Sequence, residues 1–411
     1  MTSIPQNTFG RIKFLFLNKD LGHYTLFLCL IWCKELVLTL GRVSVTRSEL
    51  TAFLAPSIDA LILFLLLPIA IKSIVAHIRI KDILFCFICV LIYLVQYILH
   101  LENSEILSEY APLFILSTLP MYLMGIQLDI NKFQNAFRDV SIAVVIFCVF
   151  YSFIYSPRVH GAMDENGEVM NLAYMLSPHV IYLLWQFIKN FSWSDFFAST
   201  IGFFMLLSFG TRGPIVCVAT FFIFYFLFIN DLKYKFAWAL TLIIAGGIIY
   251  YFSDQIILHL YNLMPRIGMS NRIFAKLIAG EFAGYENSSE RDVILLDLWE
   301  AMKRSDFFGY GIGGSWLISG GYAHNIYFDF IVSFGFYPGS ILFVFVCTQL
   351  IRGFVACRNN DEKAFFLVLF ACGFVKLFIS NIYLNEPYFW LLIGYCTFLI
   401  RNKHINKCET H

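Results

Sequence analysis

The sequence predicts an all-α integral membrane protein with about twelve transmembrane helices and both termini in the cytoplasm. Three observations predict it. Only 14% of the 411 residues are charged, while 59% are hydrophobic. The mean hydropathy is +0.72. Apolar runs of about twenty residues recur along the whole length, each long enough to cross a hydrocarbon core of about 30 Å as a helix. Backbone groups in lipid must be satisfied within their own segment, so long, uniformly apolar runs read as helices and not as barrel strands.

In chain order the expected spans are roughly 22–41, 52–71, 82–100, 108–128, 139–156, 172–188, 195–210, 213–230, 236–252, 325–351, 364–383 and 387–400. The first follows Arg11, Lys13 and Lys19, as a signal peptide would. Lys34 and Glu35 interrupt it and no small-residue cleavage site follows, so it reads as a retained signal-anchor helix. Lys and Arg cluster in alternate loops: Lys72, Arg79, Lys81, Lys132, Arg138, Lys189, Lys233, Lys235, Arg352, Arg358 and Lys363 fall on the N-terminal side. By the positive-inside rule that side is the cytoplasm. The chain reads as one membrane domain, 1–411, with a single long outside segment at about 253–324. No cysteine falls in an outside loop, so no disulfide framework is expected.

The long outside segment carries structure of its own. In SSERDVILLDLWEAMKRSD, Ser289 sits at a capping position with Asp292 after it, and Val293, Leu296 and Trp299 recur at helical spacing. An amphipathic helix is expected at about 290–304, and a shorter one at about 270–279. The stretch GYGIGGSWLISGGYAHN then returns the chain to the membrane. Its G-x-G-x-x-G is preceded by a helix and DFF where a dinucleotide site has a strand, is followed by WLISGGYAHN, and lies outside, so it reads as a tight turn that lets backbones approach closely.

Arginine dominates outside, where lysine is rare: Arg42, Arg47, Arg158, Arg212, Arg266, Arg272, Arg291 and Arg304 stand against Lys276 and Lys303. Arginine is suited to forked contacts with phosphate, so the outside face is expected to bind an anionic, phosphate-bearing substrate. SFGTRGPIV opens a span that runs inward, so its positive dipole end faces out beside Arg212. His324 and Asn325 open another span of the same direction. Ionisable residues within or near spans need partners: Lys34, Glu35, Asp59, His179, Asp329 and Lys376. An Asp329–Lys376 ion pair is one expectation, a proton or ion pathway the other. No D-x-D, H-E-x-x-H, G-x-S-x-G or Walker pattern occurs, so neither metal nor cofactor is expected.

TRG at 211–213, Arg291 in SERDVILLDLWEAM, FFGYGIG at 307–313 and HNIYFDFIVSFG at 324–335 follow one another in this order. RVHGAMDENGEVMNLA at 158–173 adds an R-x-x-G loop. This layout resembles the Wzy-type O-antigen polymerases and the related O-antigen ligases, which are GT-C-type membrane glycosyltransferases. The resemblance implies metal-independent transfer of an undecaprenyl-diphosphate-linked oligosaccharide at the periplasmic face of the bacterial inner membrane. Donor and acceptor are both lipid-linked, a chain-length regulator is an expected partner, and no nucleic acid is involved. It places the catalytic group on Arg212, Arg291 and His324, with Arg158 as a further candidate; Asn325 at the helix start and the outside arginines Arg266 and Arg272 are the other expected substrate-binding residues. His324 either takes the acceptor proton or orients the diphosphate. The ligase pattern fits His324, Asn325 and Gly335 but not Pro338, which favours the polymerase. A flippase for lipid-linked glycan is the alternative from another class.

Overall fold

The structure is a computed structural model, and it describes residues 78–158, 168–209, 211–229, 258–259, 261–263, 290–305 and 308–409. The expected spans at 22–41, 52–71 and 236–252 and the short helix at 270–279 lie outside the described residues, as do Arg266 and Arg272. Among the described residues every element is helical and no strand is present. Among the described residues three helical segments, Ile80–Leu99, Phe133–Phe150 and Phe336–Ala356, are long and apolar enough to cross a membrane. The protein is thus a multi-pass membrane protein by length and composition of its helices.

Helix α1 (Ile80–Leu99) contains neither Gly nor Pro and is apolar on nearly every side. At its start the Arg79 backbone N–H donates to Asp82 at 3.1 Å. Buried Asp82 also receives the guanidinium of Arg401 from the last helix, at 2.9 Å through Nη1. The single span expected at 108–128 is instead three pieces: α2 (Ser104–Leu113), a π turn (Phe114–Thr118) and α3 (Leu119–Gly125). Pro112 and Pro120 explain the break, since each lacks the amide donor that a continuous helix needs.

The described residues cluster into two compact units. One, called the Arg212 unit below, holds α4 (Ile130–Arg158), α5 (Glu168–Asn190), α6 (Trp193–Ser208) and α7 (Arg212–Phe228). These helices coincide in position with the four spans expected between 139 and 230, and of them only Phe133–Phe150 within α4 is long and apolar enough to cross a membrane. Arg138 of α4 reaches the head of α6, with Asp195 at 2.6 Å and Ser194 at 2.8 Å. Buried His179 of α5 faces Ser141 of α4 at 3.0 Å.

The other, the His324 unit, holds α1 to α3 and the chain from α8 (Glu290–Arg304) onward. After α8 come α9 (Gly314–Ser319), α10 (Ile326–Phe334), α11 (Phe336–Ala356), α12 (Asn360–Leu369) and α13 (Pro387–Glu409). Here the sequence expectations need correction. The span expected at 325–351 is two helices, broken at Gly335, whose φ of 90° and ψ of 161° suit glycine. A Cβ on Gly339 would lie 2.5 Å from the Phe330 carbonyl, so α11 folds back closely on α10. The span expected at 364–383 stops being α-helical at Leu369 and continues as a π turn (Phe370–Phe374) and a 3-10 turn (Val375–Phe378). The π turn brings Gly373 against the backbone of Tyr388, where a Cβ would lie 2.7 Å from its carbonyl carbon. Lys376 pairs with Glu386, not with Asp329 as expected from sequence. Asn381, at φ 73°, donates to Glu386 at 2.9 Å and completes the turn into α13.

Candidate functional site

Helix α8 forms where the sequence predicts it, and of the three apolar residues that mark it Trp299 packs inward. Leu298 and Met302 are fully buried, with Ile294 and Trp299 half-buried beside them, while Val293 and Leu296 are exposed. The buried stripe 294, 298, 302 has a spacing of four and packs on Ala323, Ile331 and Val332. That packing holds α8 against α10, and it fixes Arg291 at the exposed head of α8.

The glycine turn between them brings backbones close. The Tyr310 N–H donates to the Val332 carbonyl at 2.7 Å, and its hydroxyl donates to the Ala301 carbonyl at 2.8 Å. One tyrosine therefore ties α8 to α10. A Cβ on Gly309 would lie 2.5 Å from the Gly335 nitrogen, directly at the break between α10 and α11. Gly311 and Gly313 have φ of 81° and 86°. A Cβ on Gly311 would collide with the His100 ring. The Asn103 side chain donates to the Tyr310 carbonyl at 2.8 Å, and the Ile312 N–H donates to Gln96 at 3.3 Å. Gly309 and Gly311 of the motif thus lie close against this chain's own backbone and side chains, as the tight-turn reading expects.

His324 closes this segment in a left-handed conformation, φ 53°. Such a backbone is uncommon outside glycine, although His, Asn and Asp adopt it more readily than other residues. Asn325 then caps α10, its side chain accepting from the Tyr327 N–H at 3.0 Å and the Phe328 N–H at 3.4 Å. The His324 ring lies 4.0 Å from the Tyr322 ring, centroid to centroid. A hydrogen bond joins it to the Ile379 backbone, and Nδ1 is buried with no partner among the described residues. Burial pushes the imidazole down to about 4, the Arg291 charge pushes the same way, and the Ile379 bond opposes both. At neutral pH His324 is therefore a neutral ring. If one nitrogen donates to Ile379, Nδ1 carries a lone pair.

Among the sequence-predicted residues, Arg291, His324 and Asn325 share this unit, and Arg291 lies within electrostatic reach of His324. Arg158 and Arg212 belong to the other unit. Arg158 is the last residue of α4. Arg212 is exposed at the first position of α7, and the next residue, Gly213, leaves no space for a Cβ against the Tyr174 hydroxyl. Tyr322 and Ile379 were missed from the sequence. Hydropathy reads 364–383 as one uninterrupted span, so nothing marks Ile379 as a backbone acceptor at a turn. Among the described residues no group of three or more His, Cys, Asp or Glu side chains is placed to hold a metal ion. No protein-family model, curated protein or solved structure matches the chain.

Proposed function

We propose that this protein is an O-antigen polymerase of the Wzy type: a metal-independent membrane glycosyltransferase with about twelve spans and cytoplasmic termini. It joins undecaprenyl-diphosphate-linked oligosaccharide repeat units at the periplasmic face of the bacterial inner membrane. The observation that carries the reading is the neutral His324 ring, with an unpartnered buried nitrogen, beside the Arg291 cation at the head of α10. The motif layout through TRG, Arg291 and His324-Asn325 supports the same assignment.

The chemistry needs two things. A diphosphate leaving group gains charge as the glycosidic bond breaks, and fixed guanidinium groups stabilise that charge. Arg291 and Arg212 are assigned this role, with Arg158, Arg266 and Arg272 as further contacts. The attacking hydroxyl must lose a proton, and a lone pair on Nδ1 can accept it. A ring near 4 is a weak base while Arg291 is unneutralised. Burial is the larger cause of that depression, so a bound diphosphate, by offsetting the Arg291 charge, raises the ring part of the way and makes His324 a stronger base than in the free protein.

Deleting the gene and resolving surface lipopolysaccharide on a gel tests the assignment. The expected result is loss of the ladder with one repeat unit left on the core. Loss of all attached glycan while lipid-linked polymer accumulates means a ligase instead. An unchanged ladder rejects both.

A further inference from the structure

We propose that Trp316 and Tyr322 form a sugar-binding subsite beside His324, on which the acceptor glycan lies with one hydroxyl at the histidine. This rests on the reading of the protein as a polymerase of lipid-linked glycan. The three rings follow one another in space. Trp316 and Tyr322 have ring centroids 6.2 Å apart, and Tyr322 and His324 have theirs 4.0 Å apart. All three residues are half-buried, so each keeps part of its surface open. Aromatic faces carry partial negative charge and attract the C–H groups on the flat side of a pyranose, whose hydroxyls then project from the rim.

Two polar atoms on this track lack a partner. The indole Nε1 of Trp316 and Nδ1 of His324 are both buried without a hydrogen bond among the described residues. Buried polar atoms are seldom left so, and each such case calls for a reason. The indole nitrogen can only donate, whereas Nδ1, read above as the proton acceptor, accepts. A sugar offers hydroxyls that do both, while a fully ionised diphosphate can only accept. The loop between the two aromatic residues also leaves room. Gly320 ends α9 at φ 71°, its N–H donating to the Trp316 carbonyl at 2.9 Å. The Ser319 hydroxyl donates to the Gly321 carbonyl at 3.3 Å and holds the next step of the chain. Among the described residues nothing stands within 4 Å of where a Cβ on Gly320 or Gly321 would be. These two glycines therefore differ from Gly309 and Gly311, which are hemmed in by the chain itself. A backbone without side chains, flanked by aromatic rings, lets a ligand approach closely.

Binding is measured on the full-length protein in lipid nanodiscs by saturation-transfer NMR. The probe is the oligosaccharide repeat unit freed by mild acid from the lipid-linked glycan of the cells that carry this protein. Inorganic pyrophosphate is the second probe. Trp316→Phe keeps a ring and removes the N–H, and is expected to weaken glycan binding about two- to tenfold, the range for one neutral hydrogen bond. Tyr322→Leu removes a ring face and is expected to weaken it by a similar factor. Tyr322→Phe keeps the face and should bind as wild type does, which also shows that the loop folds without the hydroxyl. Pyrophosphate binding should be unchanged in all three. The proposal is overturned if wild-type protein shows no saturation transfer to the glycan, or if Trp316→Phe and Tyr322→Leu both bind it as wild type does. It is equally overturned if those variants lose pyrophosphate and keep glycan, which would assign the indole N–H to the diphosphate. Chain extension is followed separately. Wild-type protein that binds glycan through these rings but extends no chain refutes the polymerase reading and leaves the sugar subsite standing. Variants that bind and extend glycan as wild type does refute the subsite and leave the polymerase reading standing.

Discussion

The Arg212 unit and the His324 unit are built from similarly apolar sequence, yet they treat their helices differently. In the first, α4 to α7 run as single helices, even though α5 contains Pro178. In the second, three expected spans are broken: at the π turn before α3, at Gly335, and again after Leu369. Two of those breaks adjoin the candidate site. Gly335 ends the helix that His324 opens, and the turn after the third break supplies the Ile379 bond to His324. Breaking a helix frees backbone carbonyls and amides for other work, provided they are buried in protein. The unit with the histidine uses that freedom, and the unit with Arg212 presents its arginine on an intact helix head.

The comparison can be broken most sharply at the cations. Arg212→Ala and Arg291→Ala are each expected to lower chain extension by about 10²–10³-fold, the usual cost of losing one fixed charge-stabilising group. Membrane content of the protein should be unchanged, read by immunoblot. Full activity in both variants would remove the diphosphate site from either unit.

Next in size are two buried ion pairs, one taken from each unit: Asp82–Arg401 and Asp195–Arg138. Asp82 has three partners, two from Arg401 and one from the Arg79 N–H, whereas Asp195 leaves Oδ2 without a hydrogen bond. Asp82→Ala is expected to cost about 3 kcal/mol because it strands a partly buried guanidinium. Asp195→Ala should cost less, as the ordering of thermal midpoints in detergent would show.

Gly309→Ala and Gly213→Ala test the close approaches. At Gly309 the obstacle is backbone, which cannot rotate away, and the expected cost is about 1–3 kcal/mol. At Gly213 the obstacle is the hydroxyl end of Tyr174, and a smaller loss is expected. Equal losses would mean that the two units are equally rigid at these points.

The smallest effect concerns pH. The folded His324 ring lies below its usual 6.5, at about 4. The unfolded chain therefore binds the proton first, and this group withdraws stability as pH falls from 6.5 toward 4, with its contribution complete above that window. In kinetics, the acid limb of kcat/KM reports the free enzyme and that of kcat reports the complex. With a diphosphate bound the limb of kcat is expected at higher pH. Arg291→Gln should move the free-enzyme limb upward, by less than the whole displacement, since burial is the larger cause. Identical limbs in all cases would separate His324 from the diphosphate.

The sequence made the helical, membrane-spanning class legible because twenty apolar residues without Gly or Pro leave the backbone few alternatives. It also placed α8 within its observed bounds, because a cap and a charged last turn mark both ends. It left open which residues of α8 pack on protein, since Val293, Leu296 and Leu298 are equally apolar and only the packing of α10 selects among them. The breaks at Gly335 and after Leu369 were illegible for a related reason. A lone glycine in an apolar run is compatible with a continuous helix, and a π turn has no local composition. At the site, Arg291, His324 and Asn325 were legible as chemistry-bearing residues at helix ends. Tyr322 and Ile379 were not, because one contributes a ring face and the other only a carbonyl.

The left-handed backbone at His324 narrows which residues the position tolerates before any chemistry is considered. Glycine fits without strain, and asparagine and aspartate fit at modest cost, whereas alanine adds conformational damage to the loss of the ring. Alanine scanning would therefore overstate the importance of the imidazole here. His324→Gly and His324→Asn are the variants that remove the ring while leaving the chain path open, and only they report what the nitrogen itself contributes.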